Sequence, residues 1–260
     1  MLLSGPFSAT LDLSALALPP LERPAPPRDD VAGRLREVGY AHLSDAETFS
    51  LFSVSKGERW AGFAGAWNDL GPDRSMADGG RYRRRRHATF QVVGGAVARQ
   101  PRQPHFQSRD YNPLNGDIQR WFAPVAADFE AHPITQAILQ GCGALFSDLS
   151  GRPAVRPWRV ELHQFRIEAA GDAVGRPTPE GLHRDGVDWV FVMLVDRQNV
   201  AEGVTELVAP DGGALGRFAL ATAGEAVLLD DHRILHGVTP IHALDPARSA
   251  YRDVLVVTFA

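Results

Sequence analysis

His183 and Asp185 stand two residues apart in Pro179-Glu-Gly-Leu-His-Arg-Asp-Gly-Val-Asp-Trp189, at the entry to an apolar segment. If that segment is a strand, residues i and i+2 face the same side, and an imidazole nitrogen and a carboxylate oxygen converge on one point. Two histidines and one carboxylate on one face of iron(II) leave three open positions, which suits a bidentate small molecule together with dioxygen. A third donor is available in Arg233-Ile-Leu-His-Gly-Val-Thr-Pro240. His232 and His236 fall on the same face by alternation. His236 is preferred because it sits among Ile234, Leu235 and Val238, whereas His232 directly follows the Asp230-Asp231 turn. A chain with nine histidines carries a His-x-Asp triplet by chance roughly half the time. Order and context therefore matter more than the triplet. The same three side chains would also suit a zinc hydrolase.

The elements that must position these residues follow from hydrophobic patterning. Short segments rich in Val, Leu and Phe, at 159–167, 187–195, 204–208, 226–229, 233–238 and 251–259, are separated by Gly, Pro and Asp clusters and read as strands. Asp29-Asp30 can cap a short helix carrying Val31, Leu35 and Val38, ended by Gly39 before a strand at 40–43, and a helical turn is expected at 45–52. Apolar residues at helical spacing predict two packing helices, at 118–129 and 134–149. Residues 60–80 read as irregular. Helices first and strands afterwards give a mostly β fold with flanking helices, an antiparallel barrel or jelly roll buttressed by helices of the N-terminal half. The proline-rich stretch Leu18-Pro-Pro-Leu-Glu-Arg-Pro-Ala-Pro-Pro27 can sustain neither helix nor central strand. It predicts an extended arm over 1–28, followed by one domain over 29–260.

Composition narrows the partners. The 260 residues carry a formal charge of −4, without the basic excess of a dedicated nucleic-acid binder, so a small-molecule partner is favoured. The single cysteine, Cys142, excludes an intrachain disulfide and cysteine-rich metal sites, and is compatible with a reducing cytoplasm. The longest apolar run, 189–195, is too short to span a bilayer as a helix. An uncovered edge strand would offer a route to a homodimer.

His-x-Asp entering a strand, Gly-Glu-Ala-Val-Leu-Leu-Asp, His-Gly-Val-x-Pro and an arginine opening a last strand follow one another in that order. In this order the sequence resembles the iron(II)/2-oxoglutarate-dependent dioxygenase superfamily. Within it, Val160-Glu-Leu-His-Gln-Phe-Arg-Ile167, Glu180-Gly-Leu-His-Arg-Asp-Gly186, Leu235-His-Gly-Val-Thr-Pro240 and Tyr251-Arg-Asp-Val-Leu-Val-Val-Thr-Phe259 are similar to the bacterial L-isoleucine 4-hydroxylase-like free-amino-acid hydroxylases. The resemblance covers about the last hundred residues. It implies a double-stranded β-helix (cupin-like) core, iron(II) on His183, Asp185 and His236, and 2-oxoglutarate and dioxygen as cosubstrates. Ascorbate would serve as activator in vitro. The reaction implied is hydroxylation of a small carboxylate-bearing substrate, a free L-amino acid, with succinate and carbon dioxide formed from 2-oxoglutarate.

The resemblance also implies a basic residue for the distal carboxylate of 2-oxoglutarate, since a guanidinium matches a carboxylate in two-pronged geometry. Arg252 shares a face with Val254, Val256 and Thr258 and is preferred over Arg248, which sits in a Pro-Ala-Arg-Ser loop. Gln164 and Arg166 share one strand face and are further candidates for the cosubstrate or substrate, while His163 is kept outside the metal set. Trp189 and Phe191 are expected to be core. In Arg81-Tyr-Arg-Arg-Arg-Arg86, alternate arginines would reach a pocket if a strand runs on into Ala88-Thr-Phe90. Rival readings are a nucleic-acid or protein oxygenase of the same chemistry, which would need an open groove by these arginines, and a non-catalytic cupin-like metal- or ligand-binding module.

Overall fold

The computed structural model describes residues 28–153 and 155–260. The expected arm over 1–28 lies outside the described residues, except Arg28, which already opens the first helix. In chain order the elements are α1 (Arg28–Val38), β1 (Tyr40–Leu43), α2 (Asp45–Leu51), α3 (Arg59–Gly65), β2 (Arg83–Val93), β3 (Ala96–Arg99), β4 (Ala123–Pro124), α4 (Ala127–Glu130) and α5 (Pro133–Ser150). There follow β5 (Trp158–Ala169), β6 (Trp189–Gln198), β7 (Val200–Glu202), β8 (Val204–Val208), β9 (Ala214–Ala219), β10 (Ala226–Asp230), β11 (Leu235–Val238), β12 (Ile241–Ala243) and β13 (Ala250–Phe259).

The larger sheet runs β1-β10-β6-β13-β5-β2-β3, with β4 beside β2, and faces a smaller sheet ordered β11-β8-β9. This is the expected jelly roll. Alternation splits each strand of the larger sheet between two environments. On β13, Leu255, Val257 and Phe259 join β5 residues Val160 and Leu162 in a core shared with α1, α2, α3 and α5. Arg252, Val254, Val256 and Thr258 point the other way, into the space between the sheets. Helix α5 supplies Ile134, Ile138, Cys142, Leu145 and Phe146 to that core, and His132 and Gly151 cap its ends. Each fully buried apolar side chain of this size contributes roughly 1.5–3 kcal/mol relative to exposure. Trp189 and Phe191 belong to this core, as expected.

Two expectations fail. Residues 118–129 do not form one helix: Pro124 lacks a backbone donor, and Ala123–Pro124 lies alongside β2 instead, leaving only α4 helical. Ile118 and Trp121 are exposed, so the helical spacing there does not mark a buried face. Residues 60–80 are less irregular than their composition suggests, because Trp60, Phe63 and Trp67 recur at helical spacing and stack in series through α3 and the 3-10 turn Ala66–Asp69. Among the described residues, no helix is long and apolar enough to cross a membrane.

Candidate metal centre and cavity

His183 and His236 meet across an isolated antiparallel bridge: each backbone N–H donates to the other's carbonyl, at 3.0 and 2.9 Å. That pairing brings the two rings to a centroid separation of 4.5 Å. Asp185 reaches the same point, its Oδ1 3.7 Å from His183 Nε2 and its Oδ2 3.5 Å from His236 Nε2. The three donor atoms lie within 4.8 Å of one another. The segment carrying Asp185 is clamped by Asp231, whose carboxylate accepts the backbone N–H groups of Asp185, Gly186 and Val187 at 2.8–3.1 Å. Gly186 has φ +77° and lies against the Tyr111 ring, where a Cβ would come within 2.6 Å of the ring, so a larger residue is excluded twice over. His232, the other candidate of its segment, is exposed in a turn and paired with Asp188.

The donor set fits iron(II). His183 Nδ1 donates to the Gly181 carbonyl at 3.1 Å, which turns Nε2 toward Asp185 and His236. Gln107 orients the carboxylate: its amide nitrogen donates to Asp185 Oδ1 at 3.0 Å, while its oxygen accepts from Arg120 and Asn112 and thereby fixes the amide's direction. Outer partners of this kind are worth about 10- to 100-fold in metal affinity. Gln107→Ala should weaken iron(II) binding by that factor in an anaerobic titration. Unchanged binding would mean that the Asp231 clamp alone orients Asp185.

Burial alone would lower the His183 pKa, but the hydrogen bond and charge of Asp185, with Glu180 nearby, push it up to about 9. Burial and the neighbouring His183 hold His236 down to about 4. In the metal-free protein at neutral pH, His183 is therefore protonated at Nε2 and His236 is not. A metal must displace that one proton. Affinity should rise about tenfold per pH unit up to roughly pH 9 and level off above it. Calorimetry in buffers of different ionisation enthalpy should find one proton released per metal bound; none released would place the proton elsewhere.

The three donors open onto a cavity of about 370 Å³ between the two sheets. Its opposite wall is the inner face of β13, β5 and β2. Arg252 stands there only 2 % exposed, with Nε and Nη2 buried and unpartnered and no carboxylate at ion-pair distance among the described residues. Burial and Arg197 lower its pKa to about 10, so it keeps its charge at neutral pH. Arg248 is exposed in a turn, away from the cavity.

Gln164 and Arg166 do share a face of β5, but it is the face turned from the cavity. Arg166 grips Asp253 with two hydrogen bonds and stacks on Tyr251, and Gln164 is buried outside the cavity lining. The inner residues of β5 are Arg159, Glu161, His163, Phe165 and Ile167. A one-residue change of parity exchanges every side chain between faces, which is why these candidates are displaced. The arginine run of β2 behaves as alternation requires: Arg83 and Arg85 enter the cavity, while Arg84 and Arg86 pair outside with Glu168 and Asp69.

A second buried cluster, His87, His105, Glu161 and His163, also brings metal-type donors within 4.8 Å. Its hydrogen bonds argue against a metal. Arg85 Nη2 donates to His163 Nδ1 at 2.9 Å; a guanidinium only donates, so the ring's hydrogen is on Nε2, the atom a metal would need. Burial lowers the pKa of all three histidines, and each neutral ring has one N–H to direct at the Glu161 carboxylate. Gln107 escapes sequence reasoning because residues 100–117 carry no periodic pattern, and Arg120 because it falls in the stretch 118–129 read as a packing helix. The i, i+2 pair Glu161 and His163 was the one visible signal.

A jelly roll whose two sheets enclose a two-histidine, one-aspartate centre and an unpartnered arginine defines the class. The chain belongs to the 2OG-Fe dioxygenase family, whose model matches residues 64–258. Iron(II), 2-oxoglutarate and dioxygen are the cofactor and cosubstrates of that family. The chain is 27% identical over 156 residues to an L-isoleucine-4-hydroxylase of Bacillus thuringiensis, covering 60% of this chain and 65% of that protein. It is 26% identical over 156 residues to a 3(1)-hydroxy-L-isoleucine 4-dioxygenase of Pantoea ananatis, covering 60% of this chain and 63% of that one. The matches thus span slightly less than two thirds of the curated relatives' length. A crystal structure of a bsmA homolog from Methylobium petroleophilum PM1 superposes with a TM-score of 0.83 at 37% identity, covering 89% of this chain and 92% of that one.

Proposed function

We propose that this chain is an iron(II)- and 2-oxoglutarate-dependent hydroxylase of a free L-amino acid, folded as one domain over residues 29–260. His183, Asp185 and His236 hold the iron, and Arg252 takes the distal carboxylate of 2-oxoglutarate. The observation that carries the reading is Arg252: a buried, charged guanidinium without a partner, in the same cavity as the three donors. Such a cation is costly unless an anion completes it. Bound there, iron(II) supplies activation of dioxygen coupled to decarboxylation of 2-oxoglutarate. The chain's own residues orient the cosubstrate, hold the substrate and limit access of water.

The size and lining of the cavity favour a small substrate. At about 370 Å³ it lies at the low end for ligand pockets. Val187, Val192, Val238 and Val256 offer an apolar wall suited to an aliphatic side chain. A nucleic-acid or protein oxygenase is less well supported, because Arg83 and Arg85 are buried inside and Arg84 and Arg86 are ion-paired.

The experiment is succinate formation by the purified protein with iron(II), ascorbate and 2-oxoglutarate, screened across free L-amino acids. Succinate should rise with a particular amino acid and vanish in His236→Ala. Absence of 2-oxoglutarate conversion, together with absence of anaerobic iron binding, would leave a non-catalytic binding module as the better reading.

A further inference from the structure

Three charged groups of the cavity keep buried polar atoms that no described residue partners. Arg85 is held between the rings of Phe122 and Phe165, its guanidinium carbon 3.8 and 4.5 Å from their centroids, and is pinned at one end by His163. Its Nε is buried and unpartnered. Arg120 is anchored by Gln107 at Nη2 and also leaves Nε buried without a partner. Burial, with Arg83 and Arg120 nearby, lowers the pKa of Arg85, and burial and Arg83 lower that of Arg120, so an anion beside these groups would relieve both. Glu180 is the third group. Its side chain is 8 % exposed and lines the same cavity; Oε1 sits 3.7 Å from His183 Nε2, and Oε2 is buried with no partner. It also lies within electrostatic reach of Arg120.

Buried polar atoms without partners are few in folded proteins, and each calls for an explanation. Here the orphans form a cationic pair and an anion facing one cavity. Apart from the metal donors and Arg252, the buried cations Arg83, Arg85 and Arg120 are accompanied by three carboxylates, Asp73, Glu161 and Glu180, while the more exposed Arg159 pairs with Glu161 at the solvent side. A ligand of zero net charge that carries both a carboxylate and an ammonium gives the buried atoms of Arg85, Arg120 and Glu180 their partners without adding net charge. A simple carboxylic acid would leave Glu180 Oε2 buried without a partner.

We infer that Arg85 and Arg120 bind the α-carboxylate of the substrate and Glu180 binds its α-ammonium, so that the cavity selects zwitterionic free amino acids over carboxylic acids, amides and N-acylated derivatives. This rests on the hydroxylase reading above. The Glu161 network has a supporting part, since it sets the His163 tautomer that receives Arg85 and so fixes the guanidinium. Arg85, Arg120 and Glu180 are substrate-binding residues.

The test is binding to the full-length protein loaded anaerobically with iron(II) and 2-oxoglutarate. Calorimetry would first rank the twenty free L-amino acids, then compare the tightest with its amide, which lacks the carboxylate, and its deaminated acid, which lacks the ammonium. In the wild type, either loss should weaken binding about 10- to 150-fold, the range for a hydrogen bond between charged groups. In Glu180→Gln the deaminated acid should bind within about threefold of the amino acid, while the amide stays weak; in Arg120→Met or Arg85→Met the amide penalty should shrink instead.

Because the ligand is altered as well as the protein, a variant that fails to fold does not decide the matter. A deaminated acid binding the wild type as tightly as its amino acid would overturn the assignment. So would Glu180→Gln that loses iron yet keeps its preference for the ammonium, or 2-oxoglutarate conversion with no amino acid bound. A protein that neither binds iron nor converts 2-oxoglutarate would instead count against the hydroxylase reading itself.

Discussion

Arg252→Met should weaken 2-oxoglutarate binding by about 30- to 5,000-fold while leaving the folded protein at least as stable. Losing one partner of a buried, hydrogen-bonded charge pair costs about 2–5 kcal/mol of affinity, which gives the first expectation. The second comes from the unliganded state, where the guanidinium is buried without a carboxylate and its Nε and Nη2 are unpartnered. An apolar side chain of similar length removes that desolvation cost. The two effects have opposite signs, so titration of 2-oxoglutarate and thermal unfolding of the same samples separate binding from folding. A variant that is strongly destabilised, or that keeps its 2-oxoglutarate KM, would make Arg252 structural. Arg248→Met, on the exposed turn, should change neither quantity.

The second large effect is expected at the metal. His236→Ala removes one of three donors but leaves the backbone bridge to His183 intact, because that bridge uses only main-chain atoms. The fold should persist while iron stoichiometry collapses, and turnover should fall by about three orders of magnitude or more, the scale of losing a metal's charge stabilisation. His232→Ala is the matched comparison. That side chain is 68 % exposed and touches only Asp188 and its own turn, so iron content and turnover should stay near wild type. Equal loss in both variants would mean that the fold of this segment, not the donor, had been disturbed.

Most of the fold was legible along the chain. The β8 boundaries match the 204–208 segment, Gly39 ends α1 before β1, and α5 follows its apolar stripe. These elements are governed by local rules: alternation, helical periodicity, caps and breakers. The grouping of His183, Asp185 and His236 was legible for the same reason, since His183 and Asp185 sit close in sequence and His236 lies in a strand-like context.

What the sequence by itself determined was therefore the set of strands, the cluster of two histidines and one aspartate, and the choice of Arg252 as a residue facing inward with Val254, Val256 and Thr258. Tertiary structure decided which face of β5 meets the cavity. A strand's alternation is equally consistent with either assignment, and only the packing of Val160 and Leu162 against the helices turns Glu161 and His163 inward and Gln164 and Arg166 out. It also decided which groups orient Asp185, directly or through Gln107. Gln107, Arg120 and Asp231 come from distant segments, and their roles depend on three-dimensional proximity that no local period encodes. The buried, unpartnered atoms of Arg85, Arg120, Glu180 and Arg252 are likewise a property of the folded cavity, because a polar atom without a partner is costly only once folding has taken it out of water.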